Sequence, residues 1–212
     1  MTTALILYNL ALEELGVARI AATSDSTKSA RELTAVYTQV LAECLQNGDW
    51  NFAMRTTQED SDATPSVHNF TYKFTKPTDW VRTSMISLNN SFSVPLEDFE
   101  DEAGFWYGNT DPMYVKYVSD DATSYGGLLA SFPALYERYV ASMLALRTCI
   151  ALTGSKELRD DLRDRIAPRA LANARSRDAQ DGPARRLPQG RLVSSRGTGG
   201  SNMLYNRQSG LS

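Results

Sequence analysis

Residues 132–153, FPALYERYVASMLALRTCIALT, combine helical apolar spacing with almost nothing polar to turn toward water. Leu135, Tyr139, Val140, Met143, Leu144, Leu146 and Ile150 wrap well past one face, and Arg147 is the only charge after Arg138. The spacing predicts a helix covered on more than one side. Such a helix sits at the centre of a bundle or takes part of its cover from another subunit. Leu135, Tyr139, Met143 and Leu144 are therefore candidates for core or intersubunit contacts. The uncharged run between the two arginines is far shorter than the roughly 20 residues that a bilayer requires, so no membrane span is expected.

The rest of the pattern arranges itself around this element. Residues 4–15 place Leu5, Tyr8, Leu12 and Leu15 at 3/4 spacing, with Gly16 where a C-terminal cap belongs. A polar run from Thr23 to Ser29 offers Ser26 as N-cap to a second helix, on which Leu33, Tyr37, Val40, Leu41, Cys44 and Leu45 recur until Asn47-Gly48. The two helices are expected to pack antiparallel. Trp50 and Phe52 follow directly, an aromatic pair suited to sealing the end of a bundle.

From Gln58 to Asn69 the sequence turns polar and reads as a linker or loop. Phe70, Tyr72 and Phe74 then alternate with Thr71, Lys73 and Thr75, the period-two signature of a half-buried strand ending at Pro77-Thr78-Asp79. Trp80 to Leu88 suits a short helix or a strand. Phe92 to Val94, the run Phe105-Trp106-Tyr107, a Gly108-Asn109 turn and a strand from Met113 to Val118 complete a small antiparallel β-rich insert. Polar residues 119–127 lead into the long apolar helix, with Pro133 in its first turn. After Thr153-Gly154-Ser155 a further helix carries Leu158, Leu162 and Ile166 at four-residue steps, and Pro168 is expected to kink or break it.

The fold class expected is mainly α with a β insert: a four-helix-bundle-like core, a small antiparallel β-rich module and an extended C-terminal arm. The divisions are 1–57 and 128–182 for the two halves of the bundle, 58–127 for the insert and 183–212 for the arm. Beyond Asp181 the composition cannot bury enough surface to fold alone, so the arm is expected to gain order on a partner.

Composition changes this picture in two respects. A chain of 212 residues fits one sizeable domain or one domain with an inserted module, and 42% hydrophobic content is enough for a real core. The net charge of −3 hides a division: from Ser155 onward twelve basic residues face six acidic ones, so residues 1–154 carry −9. An acidic body argues against wrapping nucleic acid, whereas the basic end suits an acidic partner surface. The N-terminus lacks the basic start and cleavage site of a signal peptide, which suggests synthesis for the cytosol. Cys44 and Cys149 each lie on a predicted helix without CxxC or Cys/His company and read as buried reduced thiols.

Candidate chemistry is sparse. His68, the one histidine, has no Ser or Cys signature nearby. The cluster Glu97, Asp98, Glu100, Asp101 and Glu102 lacks the ligand alternation of a calcium loop and reads as a solvated loop. Gly197, Gly199 and Gly200 have neither the strand nor the helix of a phosphate loop. No catalytic residue, metal or cofactor is expected, and the chain does not read as an enzyme. Arg185, Arg186, Arg191, Arg196 and Arg207 have no acidic neighbours, which fits a nucleic-acid arm, a solvated tail or a protein-docking segment. Met203, Leu204 and Tyr205 favour docking, since a purely electrostatic arm has no use for apolar anchors.

The order of these features resembles a family. Leu7 to Gly16 in the first helix, Trp50-Asn51-Phe52-Ala53 after the second, an aromatic strand closing on Pro77-x-Asp79, a strand ending Tyr117-Val118, and Phe132-Pro133 to Leu152-Thr153 around the long helix look like the head-to-tail adaptor proteins of tailed bacteriophages. The group most similar is the tail tubular protein A group of short-tailed phages, over roughly residues 4–180. The resemblance implies a structural virion protein of the neck, assembled in the host cytoplasm. Such adaptors form a ring of twelve between the portal protein and the tail nozzle protein, through which duplex DNA passes without specific binding. In short-tailed members the β region also docks tail fibres; here that insert is small. By this resemblance Arg185, Arg186, Arg191, Arg196, Met203, Leu204 and Tyr205 would meet the portal. Leu135, Tyr139, Met143, Leu144, Trp50 and Phe52 would form the core or the ring interface. The alternative is a DNA-binding or packaging accessory protein using its basic tail.

Overall fold

A computed structural model describes residues 2–63 and 69–181. They form a mixed α/β structure of four helices and two small antiparallel sheets, each of three strands. Residues 1–181 make one compact unit.

The first helix, α1 (Ala4–Glu14), starts at Thr3, whose hydroxyl accepts from the Ile6 amide, and ends before Gly16. Helix α2 (Lys28–Gln46) is capped by Thr27, one residue after the expected Ser26; the Thr27 hydroxyl accepts from the Ala30 amide. The long helix, α3 (Ala134–Thr153), begins after Pro133, whose fixed backbone serves as the N-cap rather than in the first turn. It closes on Gly154 in the left-handed conformation, φ 69°, which a side chain adopts only at a cost. Beyond it, Ser155 caps α4 (Lys156–Asp161), which runs through a π turn at Leu162–Ile166 into α5 (Ala167–Asp181) without leaving the helical path. The expected break at Pro168 takes this form. A proline has no N–H to give the carbonyl four residues back, so the ladder slips, and the Ala167 amide bonds Leu162 O instead.

The apolar wrap of α3 is matched by its cover. Tyr139 to Ala145 are seven consecutive buried residues, and α1, α2 and α5 of the same chain pack along the helix. Cover from its own chain thus explains the pattern over that segment. The first two helices touch through the Tyr8 and Tyr37 rings, 5.3 Å apart edge to face, but each lies chiefly on α3 rather than on the other. The expected contact between the two helices is therefore present but slight, and α3 is their common support. Ile150, apolar and on the same helix, is 41% exposed. Cys44 and Cys149 are buried and free, and burial pushes the Cys44 thiol up to about 12.

Among the described residues six strands lie between α2 and α3. The first sheet orders β1 (Met54–Glu59), β6 (Met113–Ser119) and β3 (Trp80–Ser87), with β6 in the middle; the second orders β2 (Tyr72–Thr75), β5 (Phe105–Gly108) and β4 (Phe99–Glu102). Three readings of the sequence are corrected here. Gln58 and Glu59 belong to strand β1, which pairs with β6 from Met54↔Val118 to Glu59↔Met113. Glu100 to Glu102, read as a loop, form an edge strand against β5. The stretch Phe92 to Val94 is no strand, only neighbouring an isolated bridge between Ser87 and Pro95. Trp80 to Ser87 is strand, not helix.

Strand β6 joins the two cores because successive side chains point to opposite faces. Met113, Val115 and Tyr117 pack with Ile86 against Phe74 and Trp106 of the second sheet. Val118, on the other face, joins Leu45, Trp50 and Tyr136 in the helical core. Asp79 pins this junction: it accepts from Arg55 Nη1 at 2.8 Å and from the Tyr117 and Ser119 hydroxyls. Burial works to raise its pKa, but the bonds from Ser119 and Arg55 outweigh it and hold the carboxyl below its ordinary value. On the second sheet Lys76 is nearly enclosed, paired with Asp101 and held 3.8 Å from the Trp80 ring centroid.

Candidate functional site

The residues nominated by the sequence fall into three groups. Arg185, Arg186, Arg191, Arg196, Arg207, Met203, Leu204 and Tyr205 lie outside the described residues, as does His68. Trp50, Phe52 and Tyr139 converge, with Phe132 and Tyr136, into one aromatic cluster. Trp50 meets Tyr136 edge to face at 4.8 Å, Phe52 lies 5.3 Å from Phe132, and the Trp50 indole donates to Cys44 O at 3.0 Å. This cluster closes the end of α2 over α3, the sealing role expected of an aromatic pair past a helix end. Met143 and Leu144 are core residues, 9% and 0% exposed. Leu135 is separate: half-buried, it floors a trough on the surface.

That trough is a concave feature that no sequence signal marked. It runs between α1 and α5 over the first half of α3, a cavity of about 300 Å³. Leu135, Ile166 and Ala170 form an apolar floor; Arg138, Arg165 and Arg169 stand along the sides. A smaller depression of about 190 Å³ adjoins it along α1 at Glu14 and Arg138. A second depression, about 410 Å³, continues it past Asp161 and Arg165 to Ser155. The result is elongated: Asp161, Arg165, Arg169 and Asn173 succeed one another at single helical turns over roughly 18 Å. The π turn carries Arg165 and Ile166, in keeping with the tendency of such turns to occur where a helix wall serves a site.

The charges in the trough are unevenly paired. Arg165 bonds Asp161 at 3.0 Å. Among the described residues neither Arg138 nor Arg169 has a hydrogen-bonded carboxylate. Glu14, the last residue of α1, turns its Oε2 into a buried position with no hydrogen-bond partner. Burial pushes its carboxyl up to about 7, against the opposing pull of Ser142 and Arg138. The Ser142 hydroxyl also donates to Arg138 O at 2.6 Å. Two guanidinium groups without a hydrogen-bonded carboxylate among the described residues, beside an apolar floor, suit an occupant that is acidic and partly apolar. They do not form a nucleophile–base pair.

A consequence for stability follows from Glu14. Its folded pKa lies above its unfolded value of about 4.5, so the folded state holds the proton more tightly and stability falls as pH rises from about 4.5 through 7. Glu14→Gln is expected to flatten that slope and to stabilise the protein by roughly 1–2 kcal/mol at mildly alkaline pH, a figure discounted for partial solvation. Urea denaturation of both proteins across this pH range measures it; parallel curves would show that the carboxyl is not held neutral by burial.

Among the described residues no group of three or more His, Cys, Asp and Glu side chains is placed to hold a metal ion, and no helix is long and apolar enough to cross a membrane. The basic excess of the C-terminal part divides unevenly: residues 155–181 carry seven basic and six acidic side chains, whereas five arginines and no acid follow Asp181. No known protein family matches this chain, and no curated protein matches it either.

Proposed function

We infer that the protein is a structural adaptor of a tailed-phage neck, whose helical core, of four-helix-bundle type, sits in a ring and whose own basic C-terminal arm docks on the portal. The observation that carries this reading is the order of elements: two helices, six antiparallel strands, a long apolar helix with its return helix, and then a basic segment without acids. That order parallels the adaptor resemblance from Leu7 to Thr153. The charge division supports it too. An acidic body suits a channel along which DNA slides without adhering, and a basic, apolar-anchored arm suits docking on another protein.

The test is the mass in solution, by light scattering on a sizing column, of the protein alone and mixed with the portal ring of its own phage. A complex carrying about a dozen added copies is the expected result, the arm gaining order as it binds. No association with the portal, together with salt-sensitive binding to duplex DNA, would replace this reading with that of a DNA-binding or packaging accessory protein.

A further inference from the structure

We propose that the trough between α1 and α5 receives the β3–β4 connection, residues 88–98, of a second copy of this chain. Three observations point to that occupant. The trough is a long channel with an apolar floor, the shape of a seat for a polypeptide rather than a cup for a small molecule. Arg138 and Arg169, which have no hydrogen-bonded carboxylate among the described residues, belong to a chain whose first 154 residues carry −9, so a matching acidic surface is available on every copy. And the two most exposed large hydrophobic side chains among the described residues, Val94 at 66% and Leu88 at 51%, lie in this one connection, followed at once by exposed Glu97 and Asp98.

The connection is held ready for such a contact. Phe92 is buried in the left-handed region, φ 51°, an unusual conformation for a bulky residue, with the Lys116 ammonium 4.3 Å from its ring centroid. The Ser87 hydroxyl donates to Val94 O at 3.0 Å, and the Leu96 amide bonds Ile86 O at 2.8 Å. These contacts fix Val94 on the outside at little further entropic cost on binding. Val94 and Leu88 of one copy would cover Leu135 and Ile166 of the next, with Glu97 and Asp98 against Arg138 and Arg169. A projection on one face and a seat on another make a heterologous contact, the kind that closes rings when the rotation permits. The proposal rests on the adaptor reading only in that copies meet side by side.

The experiment is sedimentation equilibrium of the full-length protein over a wide range of concentration, with Arg138→Glu/Arg169→Glu, with Glu97→Arg/Asp98→Arg, and with the two variants mixed. All four positions are exposed, so the variants are expected to fold, and circular dichroism verifies it. Wild type is expected to associate, each variant about ten-fold or more weaker because like charges then face each other. The mixture is expected to recover, since each variant's trough then meets a loop of opposite charge. A wild type that stays monomeric, variants that associate as wild type does, or a mixture no stronger than its components would each overturn the proposal. Variants that still load a portal ring in a dozen copies would sink this contact and spare the adaptor reading; copies that join through the trough but never load a portal ring would do the reverse.

Discussion

Deleting residues 183–212 is expected to abolish binding to the portal ring while leaving the fold unchanged. Every residue of the two hydrophobic clusters found among the described residues lies at or before Ala174, and residues 1–181 form a compact unit. The truncated protein should therefore unfold in urea within about 0.5 kcal/mol of the full chain. It should also lose the five arginines and the apolar triplet Met203, Leu204 and Tyr205 at one stroke. Light scattering with the portal ring reads the loss. Truncated protein that binds as well as the full chain would show the arm assignment to be wrong. Salt separates the arm's two uses: if all five arginines neutralised phosphates on duplex DNA, affinity would fall roughly 500-fold between 50 and 200 mM salt. A contact anchored by Met203, Leu204 and Tyr205 keeps its apolar part at any ionic strength.

A carboxylate at position 144 is expected to prevent folding rather than assembly. Leu144 is 0% exposed, at the middle of α3 beneath helices of its own chain. Leu144→Asp loses the buried side chain and leaves a charge with no partner, together costing more than about 4 kcal/mol, much of what a domain of this size has to spare. Met143, 9% exposed, is expected to behave alike. Ile150→Asp on the same helix supplies the contrast, since its side chain is 41% exposed and the change should cost no more than about 0.5 kcal/mol. Near-ultraviolet circular dichroism and urea titration distinguish the outcomes. Should Leu144→Asp fold with wild-type stability and lose only self-association, the residue would belong to an interface after all.

Leu144 and Ile150 also show how far the sequence reaches. Both are apolar, both lie on one periodic stretch, and nothing in their spacing separates a core position from an open one. The existence of the helix was legible because a 3.6-residue period over twenty residues is a local signal. So were the Gly154 stop, the sealing role of Trp50 and Phe52, and the strand at Phe74. Strand β1 was not legible: Arg55, Thr56, Thr57, Gln58 and Glu59 are polar, and they are strand only because β6, sixty residues on, offers its edge. The acidic run Glu100 to Glu102 is the same case, ordered by Trp106 and Tyr107 opposite. Local propensity for a strand is weak and pairing partners decide it.

The trough was hidden for a related reason. Glu14, Arg138 and Arg169 are ordinary charged residues on three helices, each at a place where a solvated side chain is the natural reading. Only packing of α1 and α5 on either side of α3 brings them together and removes water from the Glu14 carboxyl. By itself the sequence determined the helices, the glycine that stops the long one, the aromatic seal, the alternation of the strand at Phe74 and the charge division between body and arm, since each is written in neighbouring residues. The tertiary structure decided which apolar residues of α3 are core, that α3 rather than the first helix pair is the common support, that polar segments pair as strands, and that three scattered charges share one trough. Those outcomes depend on contacts between residues far apart in the chain, where burial and pairing energies outweigh local preference.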